Sequence, residues 1–417
     1  MSEKLNRNVP KLRFPEFVVD WKKLTLISFV ENIIDYRGKA PPKSEDGIIL
    51  ITARNVKQGF LDFSSKEFIP SEDYDSWMSR GLPQKGDILF TTEAPLGNVC
   101  MFPDSGVYAL GQRTLTLRAK SGLSYGEFLF YILQSPKIRT EIFSKSTGST
   151  AKGIKSSVFK KIPLQVPSVE EQKKIANFLG AIATRLTQLR RKHELLQTYK
   201  RGVMQKIFSQ EVRFKGAIGG AFPDWKRSTL KELEIEISDG NYGELYPNQE
   251  DFQSEGIPFI RANNLKNGRI TWDDMKFIDS SLHKTLKSGH LLKNDILITT
   301  RGDIGTIALV GEEFQDSNIN AQLCLLRNPK ACDKIFLFHF LLSENAKKQL
   351  LELTTGSALK QLPRKNLLNL IIYFPCLEEQ EKIADFLTAI DRKIEAVAQQ
   401  IDRTKQFKKG LLQKMFV

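Results

Sequence analysis

At 417 residues the chain exceeds one ordinary hydrophobic core, which predicts two or more domains. Its 41% hydrophobic and 26% charged residues are those of a soluble globular protein, and its densest apolar run, residues 335–342, is far too short to span a bilayer. A net charge of +14 with a pI near 9.4 favours a polyanionic partner, nucleic acid before an anionic membrane surface.

The opening MSEKLNRNVPKLRF has no apolar h-region, so no signal peptide is expected. Residues 1–24 carry RFPEF and then Trp21-Lys22-Lys23. A looser echo, Arg213-Phe214, AFPDW and Lys226-Arg227, follows the flexible stretch KGAIGG at 215–220, which marks a linker. The echo continues. GIILITARNVKQG (47–59) matches GIPFIRANNLKNG (256–268), a β-rich run ending in a polar loop that aligns Asn55 with Asn264. KGDILFTTEAPLGNV (85–99) matches KNDILITTRGDIGTI (293–307), a Lys-x-Asp turn followed by a strand. TLTLRAK and LCLLRNPK are again strand-like, and each precedes an aromatic helix, 128–135 and 336–343. The last shared loop is STGSTAKGIK (146–155) against TTGSALKQLPRK (354–365).

A long helix closes each copy. SVEEQKKIANFLGAI begins at 168 and CLEEQEKIADFLTAI at 376, an offset of 208 residues that the closing glycines, Gly202 and Gly410, keep. Apolar residues recur at alternating steps of four and three: Ile175, Leu179, Ile182, Leu186 and Leu189 in the first copy, Ile383, Leu387, Ile390, Ile394 and Val397 in the second. That spacing is a coiled-coil seam, with His193, Lys200, Thr404 and Lys408 in its polar slots. Ser168 followed by Glu171 reads as a capping box. Each helix would run roughly 60 Å at about 1.5 Å per residue, too long to hide within one globular half. Either the seams pair with each other, or each helix lies on its own globule. The organisation is α+β: two tandem β-rich globules, 1–167 and 211–375, each followed by a long helix, 168–210 and 376–417, as an internal repeat.

Catalytic constellations are weak. GLSYG (122–126) satisfies the nucleophile-elbow pattern, but Ser124 and Glu127 also read as a capping box and the second copy has no serine there. Asp87 and Glu93 could suggest paired nuclease carboxylates, yet the second copy keeps Asp295 and places Arg301 opposite Glu93; turn chemistry explains the aspartates better. No Walker A sequence, dinucleotide fingerprint or N-P-P-[FY] motif is present. Four cysteines without a CxxC pair and scattered histidines predict reduced thiols, a cytoplasmic setting and no metal site.

The Thr-Gly-Ser loops carry more. Glycine allows close backbone approach, hydroxyls donate, and cations follow, a combination that suits a phosphate backbone. The candidates are Ser149, Thr150, Lys152, Lys155 and Lys160 in the first copy and Ser357, Lys360, Arg364 and Lys365 in the second. A solvated basic turn is the plainer alternative. Polar residues of the loops, which differ between the copies at Arg54 against Asn263 and Arg113 against Gln322, are the candidate base readers, since Arg, Asn and Gln can contact guanine or adenine edges bidentately. They are Arg54, Asn55, Lys57 and Arg113, against Asn263, Asn264, Lys266 and Gln322.

With these motifs the chain resembles, over essentially its whole length, the specificity subunit of Type I restriction-modification systems. The doubled EEQ-x-KIA-x-FL helix starts, the doubled ILxTT strands and the Thr-Gly-Ser loops carry the resemblance. It implies two target recognition domains reading a bipartite double-stranded DNA site, the two helices packed as an antiparallel coiled coil in a pseudo-twofold repeat, and no catalysis by this chain alone. It also implies two methyltransferase (modification) subunits docked on the helices and restriction subunits that join to cut. S-adenosylmethionine would belong to the modification subunits, and ATP and magnesium to the restriction subunits, with no cofactor on this chain and no membrane partner. A stand-alone DNA-modifying enzyme and a basic coiled-coil or membrane-surface protein are the alternatives.

Overall fold

The duplication read in the sequence builds one scaffold twice. The computed structural model describes residues 9–38, 40–103, 106–216, 219–240, 242, 246–357 and 359–417. Residues 1–8 of the opening segment, Ala217 and Ile218 of the expected linker, and Ala358 of the second Thr-Gly-Ser loop lie outside them. The chain forms two compact units, residues 1–190 with 399–417, and residues 191–398. These units do not follow the four expected segments: the division falls inside both long helices.

In unit 1 an antiparallel sheet has the strand order Val30–Asp35, Thr114–Ala119, Ile88–Thr91, Val99–Met101. A second sheet of three strands, Glu67–Ile69, Ile48–Ile51 and Tyr108–Leu110, packs its own apolar cluster around Leu50, Ile51 and Ile69. Unit 2 repeats both. Glu236–Asp239, Leu323–Arg327, Ile296–Thr299 and Ile307–Leu309 keep the first order, extended by Gly268–Ile270 and Leu265–Lys266. In each copy the ILxTT strand is buried along its whole length because strands pair on both of its sides. A two-stranded ribbon ties the start of each repeat to the lead-in of its helix, Lys22 opposite Val166 and Lys226 opposite Phe374.

The long helices run Val169–Phe208 and Leu377–Lys414. All of the seam positions are covered: Ile175, Leu179, Leu186, Leu189, Ile383, Leu387, Ile390 and Val397 are buried, and Ile182 and Ile394 half-buried. The helices are antiparallel. In unit 1 Ile175 and Leu179 share a cluster with Leu411, Met415 and Phe416; in unit 2 Met204 and Ile207 share one with Ile383, Leu387 and Ile390. Each cluster also contains the aromatic helix of that unit, with Phe128 against Phe416 at 5.6 Å between ring centroids and Phe336 against Phe208 at 5.7 Å. The two readings of the seam therefore combine: partner helix and globule cover it together.

The EEQ triplet at each helix start does more than cap. The Ser168 hydroxyl accepts the Glu171 N–H at 3.3 Å, but the Glu171 side chain does not close the expected box. It is buried and accepts from Arg13 twice, at 2.8 Å each, and from the Trp21 indole at 3.2 Å. Glu379 takes Arg213 in the same way. Gln172 and Gln380, both fully buried, accept the backbone N–H of Tyr125 and Asp333 at 2.9 and 2.7 Å, and donate to Leu123 and Ala331 respectively. Each glutamine thereby fixes the turn that starts the aromatic helix.

Candidate nucleic-acid interface

The polar loops are positioned by the buried ILxTT strand. Before it, Asp87 accepts the Gln84 N–H at 2.8 Å and is clamped by Arg118 at 3.0 and 2.8 Å; Asp295 repeats this with Leu292 and Arg327. These aspartates close turns and anchor a neighbouring strand. After it, Thr92 accepts from Ile154 at 3.0 Å and donates its N–H to Arg113 at 3.0 Å, so the segments around 92, 113 and 154 converge. In unit 2 Thr300 joins Leu362 and Gln322 through the same bonds, at 2.9 and 2.8 Å.

Each Thr-Gly-Ser loop is a closed hairpin. Thr147 and Gly153 exchange two N–H···O bonds of 2.9 Å, and Thr355 and Gln361 exchange bonds of 2.8 and 2.9 Å. Gly148 and Gly356 sit at φ +108° and +91°, where an added Cβ would lie 2.2 Å from the Ala151 carbonyl oxygen and 2.5 Å from that of Leu359. Only glycine fits such a turn. The tip residues Ser149, Thr150 and Lys152 in unit 1 and Ser357 and Lys360 in unit 2 are exposed; Lys155, Arg364 and Lys365 are exposed too but lie beyond the closing pairs, at the start of the short helices that follow, and Lys160 is half-buried.

Of the candidate readers, Arg54 and Arg113 come together. Both line a cleft of about 260 Å³ in unit 1, with Thr52, Ala94 and Gln112. Arg113 pairs with Glu93 at 2.9 Å, both side chains about half exposed. Lys57 lies 3.9 Å from Asp62. In unit 2 Asn263 and Gln322 are exposed, Gln322 accepting the Asn320 amide at 3.2 Å, and Lys266 pairs with Asp273 at 2.8 Å. Glu93, set aside in the sequence for lacking a copy, proves to be the partner of Arg113. Its counterpart Arg301 occupies the same place against the loop: Glu93 bridges to Gly153, and Arg301 to Gln361. The two repeats thus carry opposite charge at one backbone position. Arg301 also lies over the Tyr242 ring at 5.7 Å, and burial pushes the Asp239 carboxyl up against the pull of Arg364 and Arg301.

Three expectations are corrected. Asn55 and Asn264 are not base readers: both are buried and spend their amides on the backbone. Asn55 accepts the Thr52 N–H at 2.9 Å and donates to Asp62 and Ser65; Asn264 accepts from Arg261 at 2.9 Å and donates to Thr271 and Asp273. Their alignment with each other was the available signal, because a residue that both repeats keep serves the scaffold they share. Ser124 is not the cap of the aromatic helix: it is buried, its hydroxyl accepts the Lys120 N–H at 2.6 Å, and Tyr125 holds the cap position without a side-chain bond.

The family model for the Type I restriction modification DNA specificity domain matches residues 19–197 and 219–406. The MjaVIII specificity subunit of Methanocaldococcus jannaschii is 26% identical over 96% of this chain and 92% of its own. The EcoKI specificity subunit of Escherichia coli strain K12 is 21% identical, covering 89% and 82%. Among solved structures, the S subunit of a Type I system from M. genitalium superposes with a TM-score of 0.62 at 20% identity, covering 98% of this chain and 99% of that one.

Proposed function

The chain belongs to the family of Type I restriction-modification DNA specificity domains, and from that premise we propose that each of its two repeats reads one half of a bipartite double-stranded DNA site. The observation that carries this reading is the conserved scaffold with diverged tips. Two repeats share sheets, hairpins and buried asparagines, yet present Arg54, Glu93 and Arg113 in one and Asn263, Arg301 and Gln322 in the other. Identical frames with different exposed hydrogen-bonding groups are what reading two different short sequences requires. The Thr-Gly-Ser hairpins, with exposed hydroxyls and lysines on a backbone held by glycine, suit phosphate contacts.

The outer faces of the two long helices are the docking surface for two modification subunits, with restriction subunits joining that complex. This chain acts without catalysis of its own in the cytoplasm. S-adenosylmethionine, ATP and magnesium work on the partner subunits. Exchanging residues 25–160 for those of another family member, in complex with the modification subunits, tests the division of labour. Sequencing the methylated DNA should show one half-site changed and the other kept. A change in both halves, or in neither, overturns the two-module reading.

A further inference from the structure

From the second repeat we infer that His283, His290 and Asp316 form a binding site for a borderline divalent transition metal, with zinc as the representative ion. The four histidines look scattered in the sequence, but the fold brings these two together. His283 lies on the short helix Ser280–Thr285, His290 bridges backbone to Asn318, and Asp316 sits in the turn just before it. The imidazole centroids are 4.6 Å apart, His283 Nε2 is 3.5 Å from the Asp316 carboxylate, and the three ligand atoms lie within 4.8 Å of one another.

The orientation of both rings is set from behind. His290 Nε2 lies 2.7 Å from the Leu286 carbonyl oxygen, which can only accept, so Nε2 carries the proton and Nδ1 is left with a free lone pair. His283 Nδ1 lies 2.6 Å from Asn318 Oδ1 and donates to it, which leaves Nε2 free on the side of Asp316. A carbonyl or amide oxygen behind each ligating histidine is the arrangement that fixes tautomer and aim in metal sites. The result is two imidazoles and one carboxylate brought together from separate segments, the donor set that zinc takes with water as a fourth ligand. Bonds of about 2.0–2.2 Å need ligand atoms about 3.4 Å apart. His283 Nε2 and the Asp316 carboxylate already stand at about that spacing, so closing the site needs adjustment at half-buried His290 or at exposed Asp316. In the same shell Asn318 Nδ2 and Ser317 Oγ are buried without a hydrogen-bond partner among the described residues, so the neighbourhood is polar beyond what the fold itself satisfies.

The scaffold does not require these residues. The positions 208 residues before the histidines are Asp75 and Leu82, so the site belongs to the second repeat alone. Bound metal would clamp the helix Ser280–Thr285 to the strand Asn318–Ile319 of the three-stranded sheet.

The untagged full-length chain, stripped with chelator and dialysed against micromolar zinc, should retain one ion per chain by metal analysis. Asp316→Asn and His290→Gln should each weaken zinc binding at least about tenfold. Asparagine tolerates the φ of +62° at position 316, so D316N keeps the fold even if H290Q does not. Thermal melting in chelator, unchanged from the parent, verifies this. Cobalt substitution should give visible d–d bands without a sulfur-to-metal charge-transfer band, which separates this site from exposed Cys376. A parent chain that retains no zinc, or one whose zinc is unaffected by D316N, overturns the assignment.

Discussion

Arg13 and Glu171 form a two-armed ion pair, 2.8 Å on each arm, across 158 residues of chain. It fastens the first segment of the repeat to the first turn of the long helix. Arg213 and Glu379 repeat it, with arms of 3.3 and 2.7 Å. The two copies differ at the indole: Trp21 donates to Glu171, whereas the Trp225 N–H is buried without a hydrogen-bond partner among the described residues.

Removing the acid should therefore hurt the first repeat more than the second. Glu171→Ala leaves the Trp21 N–H unpaired and the Arg13 guanidinium without its counter-charge, with only the Val19 carbonyl still accepting from it, at a site where the carboxylate is 2% exposed, a loss of about 3 kcal/mol. Glu379→Ala leaves the Arg213 guanidinium only the Phe222 and Pro223 carbonyls and the more distant Asp224 carboxylate, with no indole N–H set free, and should cost about 1 kcal/mol less, the net worth of one hydrogen bond. Hydrogen exchange, which resolves the repeats separately, checks the order.

A pH effect should come from His339. Burial first, and the Lys200 charge second, push its imidazole down to about 3 from the ordinary 6.5. The unfolded chain binds a proton there that the folded chain refuses, so this contribution is complete above 6.5 and declines as pH falls from 6.5 towards 3. The slope is about 1.4 kcal/mol per pH unit for the one proton. His339→Gln should flatten the stability profile by that amount between pH 6 and about 5, measured by urea unfolding at each pH.

DNA binding should separate the loops from the cleft. Lys152→Ala and Lys155→Ala should weaken binding to all duplexes and lower the salt slope by about one unit per lost phosphate contact. Arg54→Ala or Arg113→Ala should instead relax one position of the site, by about 1–3 kcal/mol. Selection from randomised duplexes at several salt concentrations distinguishes the two patterns.

Asn55→Ala should behave as a core mutation. It strands the Thr52 N–H and the carbonyls of Asp62 and Ser65, a loss of about 1–3 kcal/mol. Once corrected for the folded fraction, its selected DNA sequence should match the parent's.

A proline at Gln188, an exposed position between buried Leu186 and Leu189, removes a helical hydrogen bond and clashes with the preceding turn. The expected loss is about 3 kcal/mol or more. Co-elution with the modification subunits on gel filtration should fall with it.

Local periodicity made much of this molecule legible. The 208-residue offset, the four-and-three seam and the glycine hairpins are properties of neighbouring residues, and α-helical or turn geometry turns them directly into structure. The seam residues are covered as their spacing requires, and the exposed hairpin lysines stand where glycine puts them. What the spacing could not contain is the identity of partners far along the chain. Nothing near Glu171 announces Arg13, nothing near Arg113 announces Arg54, and no local spacing, only the match of Asn55 to Asn264 across the repeats, separates the inward amide of Asn55 from the outward one of Asn263. A side chain in a turn points inwards or outwards according to which carbonyls and amides the rest of the fold leaves unpaired, because burying a polar group without a partner costs more than any local preference supplies. Packing of distant strands decides that balance, and the same packing sets His283 beside His290.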